Sequence, residues 1–588
     1  MSTGTTGTGT TSADSMTPDD WQESVAALDL LLTQAALGPL HRFFPGRSAL
    51  RFARALASRP DQVRSRAAGL AAEFARVAGG TSDVAPARRD RRFADPAWTG
   101  NPVLRRVMQA YLTAGSTALG LVDDAALDWR DAERIRFTVE NLVDALAPSN
   151  SLLLSPEAWK AAIDTGGGSL MTGARHLVSD LASPPRVPAM VPPDAYTVGT
   201  DLAVTPGSVV LRTPVYELIQ YQPATETVRE LPLLIVPPTI NKYYILDLAP
   251  GRSMIEYLVG QGQQVLVMSW RNPDRRHASW GFDAYVDAII EAMTAAAGIC
   301  GTAAVHLLGA CSGGILASLA ATVLATVHAT AQATVQPGPS GAQPQVASLS
   351  LLVTMLDQSR TDVVGALIDE STAEAAIAAS ARKGYLDGRR LAEVFAWLRP
   401  QDLIWNYWAN NYLQGREPAR FDILAWNADT TRMTAGLHRD FVRAAMSNSL
   451  ATPGALTVHD TEIDLGQLGL DNYVVAGVAD HICPWQSCYR SSQLLGGKTR
   501  FVLSTSGHIA ALVNPPGSKK SSYQVSDDVT ADAASWRQLA ATEQGSWWPD
   551  YSSWLAARSG GQAPAPAALG SDRFHVIEPA PGSYVRAK

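Results

Sequence analysis

A chain of 588 residues, 46% hydrophobic and 18% charged, has room for more than one domain and a large buried core, and its composition is that of a soluble globular enzyme rather than a disordered or fibrous protein. A net charge of −7 gives no support for a nucleic-acid partner. The four cysteines, Cys300, Cys311, Cys483 and Cys488, have neither zinc-site spacing nor the density of a disulfide scaffold, so no metal is expected and a reducing, cytoplasmic setting is.

In chain order, residues 1–16 (MSTGTTGTGTTSADSM) lack both a basic region and an apolar core and read as a disordered tail, not a signal peptide. Order is expected from Thr17, which suits an N-cap, with Pro18 at the first helical position and Asp19 and Asp20 favouring the positive end of the helix dipole. Helical patterns such as ALRFARALAS, LRRVMQAYLTAGSTALGLV and RIRFTVENLVDAL continue to residue 185 and predict a helical N-terminal domain over 17–185. The Pro-rich SPPRVPAMVPPDAY is its exit.

Residues 186–560 have another character. Short β-rich runs (GSVVLRTPVYELIQYQP, LPLLIVPP, QVLVMSW, AVHLLG, SLSLLVTML, DNYVVAGV, TRFVLS) alternate with helical segments, among them FDAYVDAIIEAMTAAAG and a helix from about Ser312 to Thr326. The alternation predicts an α/β domain with a mostly parallel sheet and helices on both faces. Residues 329–345 are of low complexity and are expected to form a surface loop. Over about 357–460 the strand signal gives way to Ala-rich helical segments and an aromatic cluster, which predicts an insertion over the sheet, a candidate lid. Residues 561–588 are expected to form a mobile C-terminal tail. No uncharged apolar run reaches the roughly 18–20 residues that span a bilayer, so no transmembrane segment is expected.

The stretch HLLGACSGG, from His306 to Gly314, carries the chemistry. Its GACSG core matches Gly-x-nucleophile-x-Gly with Cys311 as nucleophile. A nucleophile on a tight strand-to-helix turn needs Gly309 and Gly313, because side chains there would strike the adjacent strand and helix. The following helix, opening at Ser312, aims backbone donors and its dipole at the site, which stabilises an oxyanion and lowers a thiol pKa. Taken alone, the motif also fits a buried cysteine in a Gly-rich turn.

Enzymes with such an elbow place an acid and then a histidine later in the chain, each after a strand. Asp480 follows DNYVVAGV and His508 follows TRFVLS, in the expected order. His508 would take the thiol proton and Asp480 would orient the imidazole. His481 adjoins Asp480 and reads as a supporting residue. His306 lies within a strand and reads as a core histidine. Asp357 is a rival acid by position but precedes the lid. Cys483 and Cys488 read as small buried hydrophobes. A second oxyanion donor is expected from the backbone near Ile240 or Asn241, in LLIVPPTINKYYILDL.

Nine blocks in order, RRFADPAWTGNPV, PPTINKYYILDLAP, VMSWRNPD, LLGACSGG, LRPQDLIWNYWANNYLQG, FDILAWNADTTRM, VAGVADHICPW, SGHIAALVNPPG and SWWPDYSSWLAARSG, resemble the polyhydroxyalkanoate synthases over roughly residues 90–560. The full N-terminal domain resembles the self-sufficient, single-subunit type, and the wording of the blocks its medium-chain branch. The resemblance implies an α/β-hydrolase fold with a lid. It implies polymerisation of (R)-3-hydroxyacyl-CoA into polyester with release of CoA, on a Cys311–Asp480–His508 triad. It further implies no cofactor, CoA being part of substrate and product, and, as partners, the growing chain, a granule surface, granule-coat proteins and a second copy of the chain. A thioester on cysteine stays reactive towards the hydroxyl of another acyl unit, whereas a serine ester would be a deeper resting point. Water must be kept from that thioester; Trp405, Tyr407, Trp408 and Tyr412 of the lid are candidates for that task, and ordinary core packing would explain each of them equally well. Two other classes stay open: a thioesterase or intracellular polyester depolymerase on the same fold, and a non-catalytic granule-associated protein.

Overall fold

Asn101 accepts the N–H groups of Val103 and Leu104 with its side chain and is followed by Pro102, which starts a 23-residue helix. This Pro102–Asp124 helix packs with Pro60–Gly79 and Trp129–Ala145, and the chain then turns through Pro156–Asp164 and Gly168–Ala182. Phe93 meets Trp98 edge-to-face with ring centroids 5.1 Å apart under this assembly, and Met108 closes its small core. The computed structural model describes residues 32, 35–36 and 46–588, except 89, 183–184, 334–342, 359–369, 399, 481 and 519. The expected tail 1–16, the cap at Thr17 and His481 lie outside the described residues, as do parts of the 329–345 loop and of the 357–460 insertion.

The second part is built on an eleven-stranded sheet. In chain order its strands are β1 (Gly207–Arg212), β2 (Tyr216–Tyr221), β3 (Leu233–Val236), β4 (Val265–Trp270), β5 (Ala304–Ala310), β6 (Gln345–Leu352), β7 (Asn472–Gly477), β8 (Thr499–Ser504), β9 (Ser522–Ser526), β10 (Ala541–Gln544) and β11 (Glu578–Pro579). Their spatial order is β10-β9-β8-β7-β6-β5-β3-β4-β2-β1-β11. The strands from β4 to β8 pair in parallel; the two flanks are antiparallel. The apolar runs of β3, β4 and β7 are buried throughout because both faces are covered. On one face Leu234, Leu266, Leu307 and Leu349 pack on Val286 and Ile289 of the helix α1 (Phe282–Cys300) and on Leu316 and Leu319 of α2 (Ser312–Ala333). On the other, Ile235, Val267, Leu308 and Leu352 share a core with Trp547, Trp548, Tyr551 and Leu555.

From β3 the chain leads to β4 on one side; from β5 it leads to β6 on the other. The carboxyl ends of β3 and β5 therefore form the switch point where an open α/β sheet presents its crevice. The stretch Ser312–Ala329 of α2 is long and apolar enough to cross a membrane, but it is 72% buried beneath the sheet and serves as a core helix.

Between β6 and β7 lies the insertion, where the described residues form helices and only two-residue strands. The expected loss of strand in this region is observed. The expected mobile tail is corrected. Gln562–Pro564 pairs with Thr227–Arg229, β11 pairs with β1, and buried Glu217 accepts the N–H groups of Ser583 and Tyr584. The Ala-, Pro- and Gly-rich composition of 561–588 means that the segment has no core of its own; its backbone groups are satisfied on the edge of another.

Candidate active site

Cys311 has φ of +51°, a conformation that costs a non-glycine residue energy and that the surroundings must impose. Its N–H donates to the Leu352 carbonyl at 2.8 Å, and its own carbonyl accepts from Gly314 N–H at 2.9 Å. The strand β5 thus ends in an elbow from which α2 departs. A Cβ on Gly309 would lie 2.4 Å from Gly314 Cα, and one on Gly313 would lie 2.4 Å from the Val236 and Pro237 carbonyl oxygens. Both glycines are required by backbone atoms that cannot move aside. Gly314 is a third, missed in the sequence although visible there as the second glycine of SGG: its Cβ would lie 2.0 Å from Thr354 Oγ1.

His508 opens the short helix His508–Leu512 after β8, and Asp480 follows β7, so two adjacent parallel strands deliver base and acid side by side. His508 Nδ1 hydrogen-bonds Asp480 Oδ2 at 2.7 Å. Asp480 Oδ1 accepts the N–H groups of Ile482 and Cys483, each at 2.8 Å. Asp480, His508 and Cys311 are all buried.

The electrostatics favour a thiolate–imidazolium pair. A hydrogen bond from the Cys483 thiol is the largest influence on Cys311; burial opposes it, His508 and the Ser312 N–H add to it, and the net effect holds the Cys311 thiol well below its usual range. Burial pulls His508 down, but the charge and hydrogen bond of Asp480, with the contact to Cys311, outweigh it and hold the imidazolium above its usual range. Cys483 is pushed up by its bond to Cys311 and by burial, so it stays a protonated donor. Asp480, Cys483 and His508 offer ligand atoms within 4.8 Å of one another. Both oxygens of Asp480 are already committed to His508 and to backbone N–H groups, which suits a carboxylate that orients an imidazole better than a metal ligand.

Opposite the elbow, the loop after β3 is held from three sides. Ser312 Oγ accepts the Thr239 N–H at 3.0 Å. Thr431 N–H donates to the Ile240 carbonyl at 3.0 Å, and Asn241 bridges Thr430 of the insertion. Lys242, buried, donates from Nζ to the Ala587 carbonyl at 2.7 Å. The Ser312 N–H is among the influences that lower the Cys311 thiol, and Ile240 and Asn241 lie on the loop that follows the carboxyl end of β3. The roles of the Ser312 side chain, Cys483 and Lys242 had no signal in the sequence, because each depends on a partner distant in the chain.

The other sequence candidates lie as follows. Asp357 pairs with Arg490 at 3.0 Å and accepts from Asn448, and so ties the root of the insertion to the helix Trp485–Gln493. His306 sits fully buried between Ser348 and Ser559, and burial lowers it to about 4, so it is a neutral core histidine. Trp405, Trp408 and Tyr412 form a ladder of edge-to-face rings with centroids 5.9 and 5.2 Å apart. Its hydrogen bonds run to the helical domain: Trp408 Nε1 donates to the Asn150 carbonyl and Tyr412 Oη to Asp180 at 2.7 Å. Tyr407 is half-buried beside them. The described contacts of this cluster thus join the insertion to the N-terminal helices.

Residues 89–258 match the family described as poly-beta-hydroxybutyrate polymerase (PhaC) N-terminus, and residues 232–515 match the alpha/beta hydrolase fold. The chain is 43% identical over 516 residues to poly(3-hydroxyalkanoate) polymerase 1 of Ectopseudomonas oleovorans, covering 88% of this chain and 90% of the relative. It is 38% identical to the poly(3-hydroxyalkanoate) polymerase subunit PhaC of Cupriavidus necator, covering 87% and 85%. It is 37% identical to the poly(3-hydroxyalkanoate) polymerase of Methylorubrum extorquens, covering 91% and 87%.

Proposed function

This chain belongs to the poly(3-hydroxyalkanoate) polymerase family, on an α/β-hydrolase fold, and we propose that it builds polyester through a covalent thioester on Cys311. It is an acyltransferase, and its substrate is a hydroxyacyl-CoA. The observation that carries the covalent reading is the buried Cys311 on its strained elbow, its thiol drawn towards the thiolate by its surroundings, together with the hydrogen-bonded His508–Asp480 pair.

Cys311 Sγ attacks the thioester carbonyl of an (R)-3-hydroxyacyl-CoA. The oxyanion is met by the Ser312 N–H and by the backbone at Ile240–Asn241. CoA leaves as a thiolate and takes the proton held on His508. The resulting acyl thioester on Cys311 is close in energy to the one consumed. The neutral imidazole then takes the proton of a second substrate's 3-hydroxyl, whose oxygen attacks the Cys311 thioester; a new ester forms and Cys311 is released as thiolate. The lengthened chain, now on CoA, returns to Cys311 by the first step and CoA departs. No cofactor enters this scheme. The Asp480 carboxylate keeps one tautomer and one ring orientation throughout.

The enzyme works as a homodimer in the cytoplasm at the surface of polyester granules, where granule-coat proteins are its neighbours. Support for the granule comes from the product, an apolar chain that leaves water as it grows.

The test is Cys311→Ala with 3-hydroxyacyl-CoAs of several chain lengths, scoring free CoA and insoluble polyester together. A small side chain suits the elbow, so the variant folds and makes no polymer. Polymer at the wild-type rate from folded Cys311→Ala would rule out this nucleophile. Free CoA without polyester from the wild-type protein would instead favour a thioesterase, and a folded wild-type protein without any turnover a granule-associated binding protein.

A further inference from the structure

The stretch Trp426–Thr431 of the insertion grips the loop after β3 residue by residue. Thr431 N–H donates to the Ile240 carbonyl at 3.0 Å, Thr430 bridges Asn241, and Trp426 Nε1 donates to the Lys242 carbonyl at 2.8 Å. One further bond joins two side chains. Tyr244 lies in the buried turn Tyr243–Ile245, directly after this loop, and its Oη donates to Asp429 Oδ2 at 2.9 Å.

Asp429 is an odd residue for that place if stability were its only task. It caps the C-terminus of the helix Asp422–Ala428, where its N–H donates to the Trp426 carbonyl at 3.0 Å. A carboxylate is disfavoured at the negative end of a helix. Asp429 is also half-buried, and burial raises its carboxyl, an effect that the Lys242 charge and the Tyr244 bond offset only in part. The grip extends into the insertion. A Cβ on Gly388, which opens the helix Gly388–Leu398, would lie 2.2 Å from the Thr431 carbonyl oxygen, so that helix rests on the same stretch.

We propose that Asp429 is a positioning residue: through Tyr244 it fixes the turn that follows Asn241 and so sets, from the insertion, the backbone at Ile240–Asn241 that meets the oxyanion. The inference rests on the acyl-transfer reading of Cys311. In that reading the Ser312 N–H comes from the start of α2, a core helix, whereas the Ile240–Asn241 donor sits on a loop whose aim depends on its fastenings. A donor out of place weakens most the state in which the oxygen carries charge. The loss therefore falls on the acylation rate and kcat, with KM little changed.

The experiment measures single-turnover CoA release from a 3-hydroxyacyl-CoA, alkylation of Cys311 by iodoacetamide, and the melting temperature of each full-length variant. Alkylation needs the thiolate but forms no oxyanion, so it separates a misplaced donor from a damaged site. Tyr244→Phe keeps the ring and loses the hydroxyl; Asp429→Ala loses the acceptor. Each is expected to release CoA about tenfold more slowly than wild type, with alkylation within about twofold of it. The double variant is expected to be no slower than the slower single one, because the two side chains act as a pair. Asp429→Asn keeps an oxygen for Tyr244 Oη and is expected to restore most of the rate lost in Asp429→Ala. Should Asp429→Ala melt early, Tyr244→Phe carries the test. Wild-type CoA release by folded Tyr244→Phe would overturn the proposal and leave the polymerase reading intact. An equal loss of alkylation and CoA release would overturn it too, since that marks general damage to the site. A wild-type protein that releases no CoA would overturn the polymerase reading and this one with it.

Discussion

His508 and Asp480 are joined by a 2.7 Å hydrogen bond between Nδ1 and Oδ2, and the second carboxylate oxygen of Asp480 is locked by two backbone N–H groups. The acid is thus positioned by the chain itself, and it contributes orientation as well as charge. His508→Gln removes the base assigned to both half-reactions and is expected to lower acylation and elongation alike by about three orders of magnitude. Asp480→Asn keeps an oxygen for Nδ1 and leaves a Cys–His pair, so the loss in acylation is expected to be about ten- to a hundredfold. Single-turnover CoA release measures the first step directly. Rapid release by His508→Gln would contradict the assignment.

The pH dependence follows from the two shifts. The Cys311 thiol is held low, so thiolate is present above its folded-state pKa and is lost only as pH falls through it. The His508 imidazolium is held high, so it is lost only as pH rises through its own. Between the two the ion pair persists. Alkylation of Cys311 by iodoacetamide is therefore expected to vary little from about pH 6 to about pH 8, where an ordinary thiol would lose about tenfold per unit of acidification. Cys483→Ala removes the largest influence on the thiol, and its alkylation rate is expected to fall with acid from a higher pH. A tenfold-per-unit slope in the wild-type protein would contradict the thiolate.

The elbow makes a prediction about stability. Gly309→Ala and Gly313→Ala drive a methyl into backbone atoms of α2 and β3 and are expected to cost about 3 kcal/mol or more, with loss of soluble protein. Ser312→Ala leaves the buried Thr239 N–H without its acceptor, at about 1–3 kcal/mol, and is expected to fold with a lowered melting temperature and a reduced kcat. Wild-type melting of Gly313→Ala would show that the elbow is not packed as described.

What the sequence could and could not reveal divides along physical lines. The elbow was legible because close backbone contacts leave only glycine at Gly309 and Gly313. Asp480 and His508 were legible because each follows a strand, and strand ends are marked by local pattern. The influence of Cys483 on the Cys311 thiol was not, since nothing local says which group a loop after β7 will meet. The aromatic ladder was legible as a cluster, but periodicity cannot name a neighbour: Tyr412 packs so closely on the Gly168–Ala182 helix that a Cβ at Gly173 would lie 1.9 Å from its carbonyl. The C-terminal segment was misjudged for a related reason, because its composition reports the absence of its own core and is silent about the sheet edge it joins.

That segment reaches the site through Lys242. The Nζ–Ala587 hydrogen bond ties the last residues to the loop that carries Ile240 and Asn241, and the Lys242 carbonyl is held in turn by Trp426 Nε1 at 2.8 Å. Deleting Ala587 and Lys588 removes the acceptor of a buried ammonium, a loss of about 1.5–3 kcal/mol. The truncated protein is expected to remain folded and to lose about fivefold in kcat, with KM little changed, as the oxyanion backbone loosens. Wild-type kcat after truncation would show that the strap does not set this loop.

The central claim is that the growing chain stays on the enzyme. Labelled 3-hydroxyacyl-CoA is added in steps, the protein is denatured, and Cys311 peptides are analysed by mass spectrometry. The account predicts label on Cys311 that lengthens by one acyl unit at a time, with CoA appearing in step with polymer. Free 3-hydroxy acid as the sole product, with Cys311 back to a bare thiol after each turnover, would contradict it.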